Sequence, residues 1–418
     1  MTKQLLHTGL QAVMTNRAYF RPHFIKGFVV VFVLLIFFFS FGSGPVQSLG
    51  HKRYGAATDL ESNIANSTLG FGKIYVVNLP ARTDRRDTLV LMAAVTGLEL
   101  EFIPARTGEE VADKALIPPA TRSSKASGAI GCWRSHLDAI SRVVENNLDT
   151  ALILEDDIDW DLNITKQMFD FAKTTRALTQ PLYGSSSYAD PSFVNPTEYE
   201  GQPPDLDFDK LPPTEPPKIS PYGDNWDVLW MGHCGAKAPN VNLQEDVIGR
   251  ELSRAIPRGR VVHYNDETVA ESHYLHTIKQ EFDPRKLFPD HTRVTHHTLD
   301  LYCTFSYAVS QRGARRILYE AGLRKFDIEW DLLLRDICNG DHDRPKKAVC
   351  LTVEPGLFHM YRGGRISSLS NISPVNDDKE MEKPFSVHIR YSARLNLPNL
   401  LSEMTPVYDQ YPDKNESS

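Results

Sequence analysis

The segment ALILEDDIDW, residues 151–160, drives four apolar residues straight into Glu155, Asp156 and Asp157, with Asp159 two positions further on. Adjacent carboxylates repel one another. No lysine or arginine lies within eight residues of the triplet on either side. A cation from outside the chain would relieve that repulsion. Hard divalent cations take carboxylate oxygens, and magnesium or manganese keeps positions open for phosphate oxygens. An acidic cluster at a strand end therefore suits an ion that bridges a diphosphate and neutralises charge as it leaves. The competing reading is an exposed acidic turn that caps a helix.

Those acids need elements to position them. KIYVVNLP predicts a buried strand over 74–79. A helix follows, with Asp84 as N-cap and Gly97 at its end. ELEFIPA, 99–105, reads as a second strand, and this β-α-β opening predicts a parallel sheet with helices on both faces. SGAIGCWRSHLDAISRVVENN places Trp133, Leu137, Ile140, Val143, Val144 and Leu148 at helical spacing. A glycine-containing loop would feed this helix, with Ser135 and His136 in its first turns. ALIL is then a short buried strand, and the triplet sits at its carboxyl end, where open α/β sheets bind ligands.

Residues 180–222 hold ten prolines and little periodicity, and read as a long, loosely ordered insertion. DNWDVLWMG, 224–232, resumes the core as a strand. Residues 302–322 predict a strand, a turn and a helix ending at Gly322. WDLLLRDIC, 330–338, predicts a helix opened by Asp331 or Asp327. Residues 347–365 predict a last strand, then a glycine-flexed loop carrying His359, Arg362 and Arg365. His359 could add an imidazole ligand, and the two arginines could close over a diphosphate. A polar, mobile tail is expected over 396–418.

The chain has 418 residues, 41% of them apolar, and a formal charge of -7, which argues against general nucleic-acid binding. GFVVVFVLLIFFFSFG, 27–42, carries no charge, and Lys3, Arg17, Arg21 and Lys26 precede it without any acid. This predicts a transmembrane signal anchor over 27–43, a cytosolic tail over 1–26, a lumenal stem over 44–70 and an ordered domain over 71–395. The short span fits a Golgi or endoplasmic reticulum membrane. A cleaved signal peptide is the rival. Lumenal placement agrees with sequons at Asn66, Asn163, Asn371 and Asn415. The five cysteines allow at most two internal disulfides.

NLPARTDRRDTL (78–89), GAIGCWRSHLDAI (128–140), ALILEDD (151–157), WDVLWMG (226–232) and YAVSQRGARRIL (307–318) stand in the order of the motifs of family 25 glycosyltransferases, which the chain resembles over roughly 71–365. These include lipopolysaccharide-type and procollagen galactosyltransferase-like enzymes, and the Pro-rich insertion is more like fungal members. The resemblance implies a GT-A-like fold, a UDP-sugar donor with UDP-galactose favoured, Mn2+ or Mg2+, inversion at the anomeric carbon, and a glycan or glycoprotein acceptor. It implies that the triplet plays the part of a DxD motif. Asp157 is then the metal ligand, with Glu155 and His359 as further candidates. Glu155 and Asp156 would bind ribose or metal-bound water, and Asn78, Arg82 and Arg85 would line the nucleotide pocket. Ser135 and His136 match the family's SH pair and would touch the donor. An inverting transferase also needs a general base, for which Asp331 is the first candidate, with Asp327 and Glu329 in reserve. HMYRGGR stands where a glutamine-containing motif is expected.

Two other classes stay open on sequence. A metal-dependent phosphoesterase would need further ligands, for which DHD (341–343) and HH (296–297), both read as surface loops, are the only offers. A non-catalytic lectin-like module would keep the fold without turnover.

Overall fold

A computed structural model describes residues 63–240, 251, 254–275, 283–340, 348–363, 383–403 and 406–414. All of them lie in one compact unit, 52–418. The expected anchor at 27–43 lies outside the described residues, as do Arg365, DHD, Asn371 and Asn415. Among the described residues, no helix is long and apolar enough to cross a membrane.

The elements follow in chain order. β1 (Ile74–Asn78), α1 (Thr83–Thr96) and β2 (Glu101–Pro104) come first, then α2 (Ser127–Glu145), β3 (Thr150–Glu155), β4 (Ile158–Trp160) and α3 (Ile164–Thr179). The middle of the chain gives β5 (Leu206–Asp207), β6 (Val228–Gly232), β7 (Gly235–Lys237), β8 (Arg260–His263), β9 (Arg293–His297), β10 (Leu299–Tyr302) and β11 (Ser306–Ser310). The last part holds α4 (Gln311–Tyr319), α5 (Trp330–Asn339), β12 (Cys350–Glu354), β13 (Phe358–Arg362), β14 (Phe385–Ser386) and α6 (Ala393–Leu401).

Among the described residues, nine strands form one sheet in the order β2-β1-β3-β11-β6-β12-β9-β8-β5. The parallel sheet expected from the opening β-α-β unit holds for β1, β2 and β3, but the sheet as a whole is mixed. β1 runs parallel to β2 and β3, but β11 enters antiparallel between β3 and β6. The reversal matters for function, because it brings the first residues of β11 beside the last residues of β3.

Both faces are buried, which explains the near-continuous apolar strands. Ile74, Val76, Leu152 and Leu154 face one core, with Leu89 and Met92 of α1, Phe171 of α3 and Leu397 of α6. Tyr75, Val77, Ala151 and Ile153 face the other, with Trp133 and Ile140 of α2, Ile317 of α4 and Leu333 of α5. The period-two alternation of strand side chains deals residues to the two cores in turn.

Several local expectations change. Arg82, not Asp84, is the N-cap of α1, while Gly97 closes the helix in the left-handed conformation as expected. Gly128 and Gly131 lie inside α2 rather than in a loop before it. A Cβ on Gly131 would come within 2.5 Å of the Arg106 carbonyl, so glycine is what lets α2 approach that segment. The helix α4 runs on through a π turn to Arg324, past Gly322. Residues 180–222 are packed: Asp190, Ser192 and Tyr222 are buried. The tail is tied down at several points, with Asn396 buried and bonded to Tyr408, and Gln410 and Tyr411 bonded to Ser386. His296 and His297 are not in a surface loop. They are buried in β9, where burial pushes their pKa values down to about 3 and about 4.

The disulfides are Cys234–Cys303 and Cys338–Cys350, and Cys132 is free. The first ties the end of β6 to the segment entering β11. The second ties α5 to β12.

Candidate active site

The acid triplet leaves the sheet at the carboxyl end of β3, and each of its members has a different setting. Asp156 is buried, and its carboxylate meets two donors from the β1–α1 segment. Asn78 Nδ2 donates to Oδ2 at 2.8 Å, and Arg85 donates to Oδ1 at 2.5 Å. Arg85 also stands 3.3 Å from Asp157, and its side chain is only 7% exposed. The cation that relieves the triplet thus comes from the chain itself, 71 residues upstream of Asp156. Sequence reading looked to a cation from outside the chain, and Arg85 supplies one from within it. Asn78 and Arg85 hold the acids in place. Arg82 forms a two-point pair with Asp84, at 2.9 and 2.8 Å.

Glu155 turns the other way. Thr304 donates to its Oε1 at 2.8 Å, and His136 Nε2 lies 3.6 Å from the same oxygen. Burial opposes ionisation, but the bonds from His136 and Thr304 outweigh it and hold the Glu155 pKa below its ordinary value. His136 is fixed on its other side by the Tyr307 hydroxyl, 3.0 Å from Nδ1, and its ring stacks on Trp330 at 5.1 Å. It therefore links β3, β11 and α5. Ser135 does different work. It lies in the third turn of α2, where its hydroxyl donates to the Gly131 carbonyl and accepts from the Arg106 N–H. Its contacts are structural.

Asp157 is the member left with capacity. Its Oδ1 is buried and without a hydrogen-bond partner. Burial pushes its pKa up to about 6; Arg85 opposes this, and Glu155 and Asp156 add to it. A carboxylate held above its ordinary range by burial and like charge gains from a nearby cation. The residues therefore fit a hard divalent ion with one protein carboxylate, the pattern of ions that complete their shell with phosphate and water. Among the described residues, no group of three or more His, Cys, Asp or Glu side chains is placed to hold one ion. His359 lies in β13 rather than on a loop. It is buried, its Nδ1 accepts from the Met360 N–H at 2.9 Å, and the His233 backbone also bonds the ring. Arg362 likewise ends β13 instead of riding a flexible loop.

Asp331 lies in the first turn of α5, not at its N-cap, which is Glu329. Its Oδ2 accepts from the Cys303 N–H at 3.0 Å. Cys303 adjoins Thr304, so one short segment touches both Asp331 and Glu155. The reserves are placed elsewhere: Asp327 pairs with Lys325 at 2.5 Å, and Glu329 is exposed near Lys125. Sequence reading missed Thr304, Tyr307, Trp330, Tyr361 and Arg394. The last two are joined by a cation–π contact of 3.7 Å, and the Tyr361 N–H donates to the Asp157 carbonyl at 3.0 Å. Tyr361 and Arg394 reach the site from β13 and α6, far from the triplet in sequence.

Fold and site together define an α/β protein with an acidic edge at the carboxyl end of β3. Residues 71–194 match the family model of glycosyltransferase family 25 (LPS biosynthesis protein). A glycosyltransferase 25 family member of Anopheles gambiae is 32% identical over 108 residues, 23% of this chain and 18% of that protein. Procollagen galactosyltransferase 2 of Homo sapiens is 27% identical over 111 residues, 24% of this chain and 18% of that protein. The matched stretch thus spans under a fifth of those relatives. The resemblance read from the ordered motifs is borne out, and the class these likenesses support is a glycosyltransferase. The family match holds Asn78, Arg85, His136 and the triplet, and stops before Asp331.

Proposed function

We propose that this chain is an inverting, metal-dependent GT-A-type glycosyltransferase that moves a hexose from a UDP-sugar to a hydroxyl of a glycan or glycoprotein. The observation that carries the reading is Asp157, with an orphaned carboxylate oxygen inside a family 25 segment. UDP-galactose is the favoured donor, because similar proteins are named procollagen galactosyltransferases. UDP-glucose and UDP-N-acetylglucosamine are the alternatives to screen.

Asp157 is the residue that would hold manganese or magnesium, and such an ion supplies positive charge to a departing diphosphate. Asn78 and Arg85 fix Asp156, and so fix the turn that presents Asp157. His136 and Thr304 keep Glu155 ionised, as an acceptor for a ribose hydroxyl. Asp331 is the general base. One of its oxygens is anchored by the Cys303 N–H, which leaves the other to take the acceptor's proton as the glycosidic bond forms and the UDP bond breaks.

The uncharged run over 27–43 and the basic segment before it support a single-pass type II protein of the Golgi or endoplasmic reticulum, with the catalytic domain lumenal. Recovery of the protein in the soluble fraction after alkaline carbonate extraction of membranes would count against the anchor.

The test of the activity is UDP release from each UDP-sugar, with manganese and with chelator. Asp331→Asn should cut turnover by about 100-fold or more while leaving UDP affinity within a few fold. Nucleotide binding without sugar transfer to any acceptor would favour the lectin-like alternative.

A further inference from the structure

We infer that Arg394, stacked on Tyr361, is the arginine that grips the diphosphate of the donor. The inference rests on the nucleotide-sugar reading above and names a residue beyond the family match.

Arg394 is half-buried, and its charged neighbours include Asp159, Arg85 and Asp157 of the acidic edge. Its guanidinium lies 3.7 Å from the centre of the Tyr361 ring. No carboxylate of the described residues pairs with it, and no hydrogen bond forms from its guanidinium nitrogens among them. The contrast with Arg82, Arg85 and Arg390 is informative, since each of those is paired with an aspartate.

The base of the side chain is nonetheless tightly set. Ser392 caps α6 by accepting from the Leu395 N–H, and the Arg394 N–H donates to Asp159 Oδ1 at 3.1 Å. Asp159 is buried in β4 and also accepts from the Ser386 and Ser392 hydroxyls. Tyr361 is anchored by its own N–H on the Asp157 carbonyl. The ring is therefore indexed to the turn that carries Asp157, and the base of the cation to β4 just after it.

A guanidinium offers five N–H donors in a plane that matches phosphate oxygens, and it stacks on aromatic faces while doing so. Partial burial without an acceptor costs stability. A positioned, unpaired arginine beside an acidic edge is thus suited to an anion with several oxygens. A diphosphate meets the description: Asp157 takes one side through an ion, and Arg394 takes the other directly. This assigns to α6 the part that sequence reading gave to Arg362 and Arg365.

The experiment is calorimetric titration of the full chain with inorganic pyrophosphate, UDP and uridine, each with manganese present, on wild type, Arg394→Gln, Arg394→Lys and Tyr361→Leu. Arg394→Gln should weaken pyrophosphate and UDP alike by about 10- to 100-fold and leave any uridine binding unchanged. Arg394→Lys should recover part of the loss, and Tyr361→Leu should weaken both phosphates by a smaller factor. Unchanged pyrophosphate and UDP affinity in Arg394→Gln would overturn the inference and leave the donor reading standing. Equal loss of all three ligands with a lowered melting temperature in both Arg394 variants would also overturn it, by showing a structural role. Arg394-dependent binding of pyrophosphate without any binding of UDP would support the inference and overturn the UDP reading.

Discussion

At the residue scale, three consecutive acids have three separate tasks. Asp156 holds the fold, Glu155 joins the His136 network, and Asp157 keeps a buried carboxylate oxygen without a partner, the one proposed to take the ion. Their substitutions should therefore differ in kind. Asp156→Ala leaves Arg85 buried without its closest partner and should cost roughly 3–5 kcal/mol of stability. Asp157→Ala removes a carboxylate that burial and like charge already disfavour, and should be neutral or slightly stabilising while abolishing metal-dependent nucleotide binding. Urea unfolding of the two variants separates these roles, and equal destabilisation would contradict them. Glu354 gives a pH-dependent counterpart in β12. Its Oε1 accepts from the Ala236 N–H, its Oε2 is buried without a partner, and burial pushes its pKa from 4.5 up to about 8. The folded state holds this proton after the unfolded chain has released it. Stability should accordingly fall as pH rises from about 4.5 to about 8, with a slope of up to about 1.4 kcal/mol per pH unit. Glu354→Gln should flatten that slope in urea titrations, and an unaltered slope would show that another group causes it.

The triplet itself was legible in the sequence, because an apolar run ending in acids marks a strand edge. Its neutralising partner was not. Arg85 lies far upstream, and only the parallel pairing of β1 with β3 brings the two segments together. Such pairing leaves no local trace in composition.

At the element scale, the antiparallel insertion of β11 is what assembles the site. It sets Thr304 against Glu155, Tyr307 against His136 and the Cys303 N–H against Asp331. The Cys234–Cys303 bridge fixes the segment that enters β11. Replacing both cysteines with serine should cost up to about 4 kcal/mol. Turnover should fall further than the unfolded fraction explains, since Asp331 and Glu155 both depend on that segment. Assays well below the melting transition check this, and full activity there would contradict it. The first strands and helices were readable from periodicity because they are local and strongly patterned. The direction of β11 was not, since a short apolar strand reads the same either way. His359 and Arg362 were misplaced on a loop for a related reason: β13 pairs with the short β4, and three-residue strands carry little pattern.

For the whole molecule, the proline-rich segment shows the limit of composition as a guide. Its prolines suggest looseness, yet buried Arg258 donates to the carbonyls of Pro196, Tyr199 and Gly201. Asp190 is buried too and accepts from the Gly259 N–H at 3.0 Å. Backbone carbonyls are acceptors in every sequence, so such a clamp cannot be read from residue types. Arg258→Ala should release the insertion, with a loss of roughly 2–4 kcal/mol and new protease cleavage within 190–205. Unchanged cleavage would show that the insertion is held by other contacts. The helix before the tail carries a similar lesson, because α6 brings Arg394 back to an edge that begins more than two hundred residues earlier.

The central claim is that Asp157 binds a divalent ion through which a nucleotide diphosphate is held. Calorimetric titration of UDP into the full chain, with manganese and with chelator, on wild type and Asp157→Ala, tests it most directly. The prediction is binding by wild type only when metal is present, and none by Asp157→Ala although that variant stays folded. UDP binding of equal strength with chelator, or in Asp157→Ala, would contradict it.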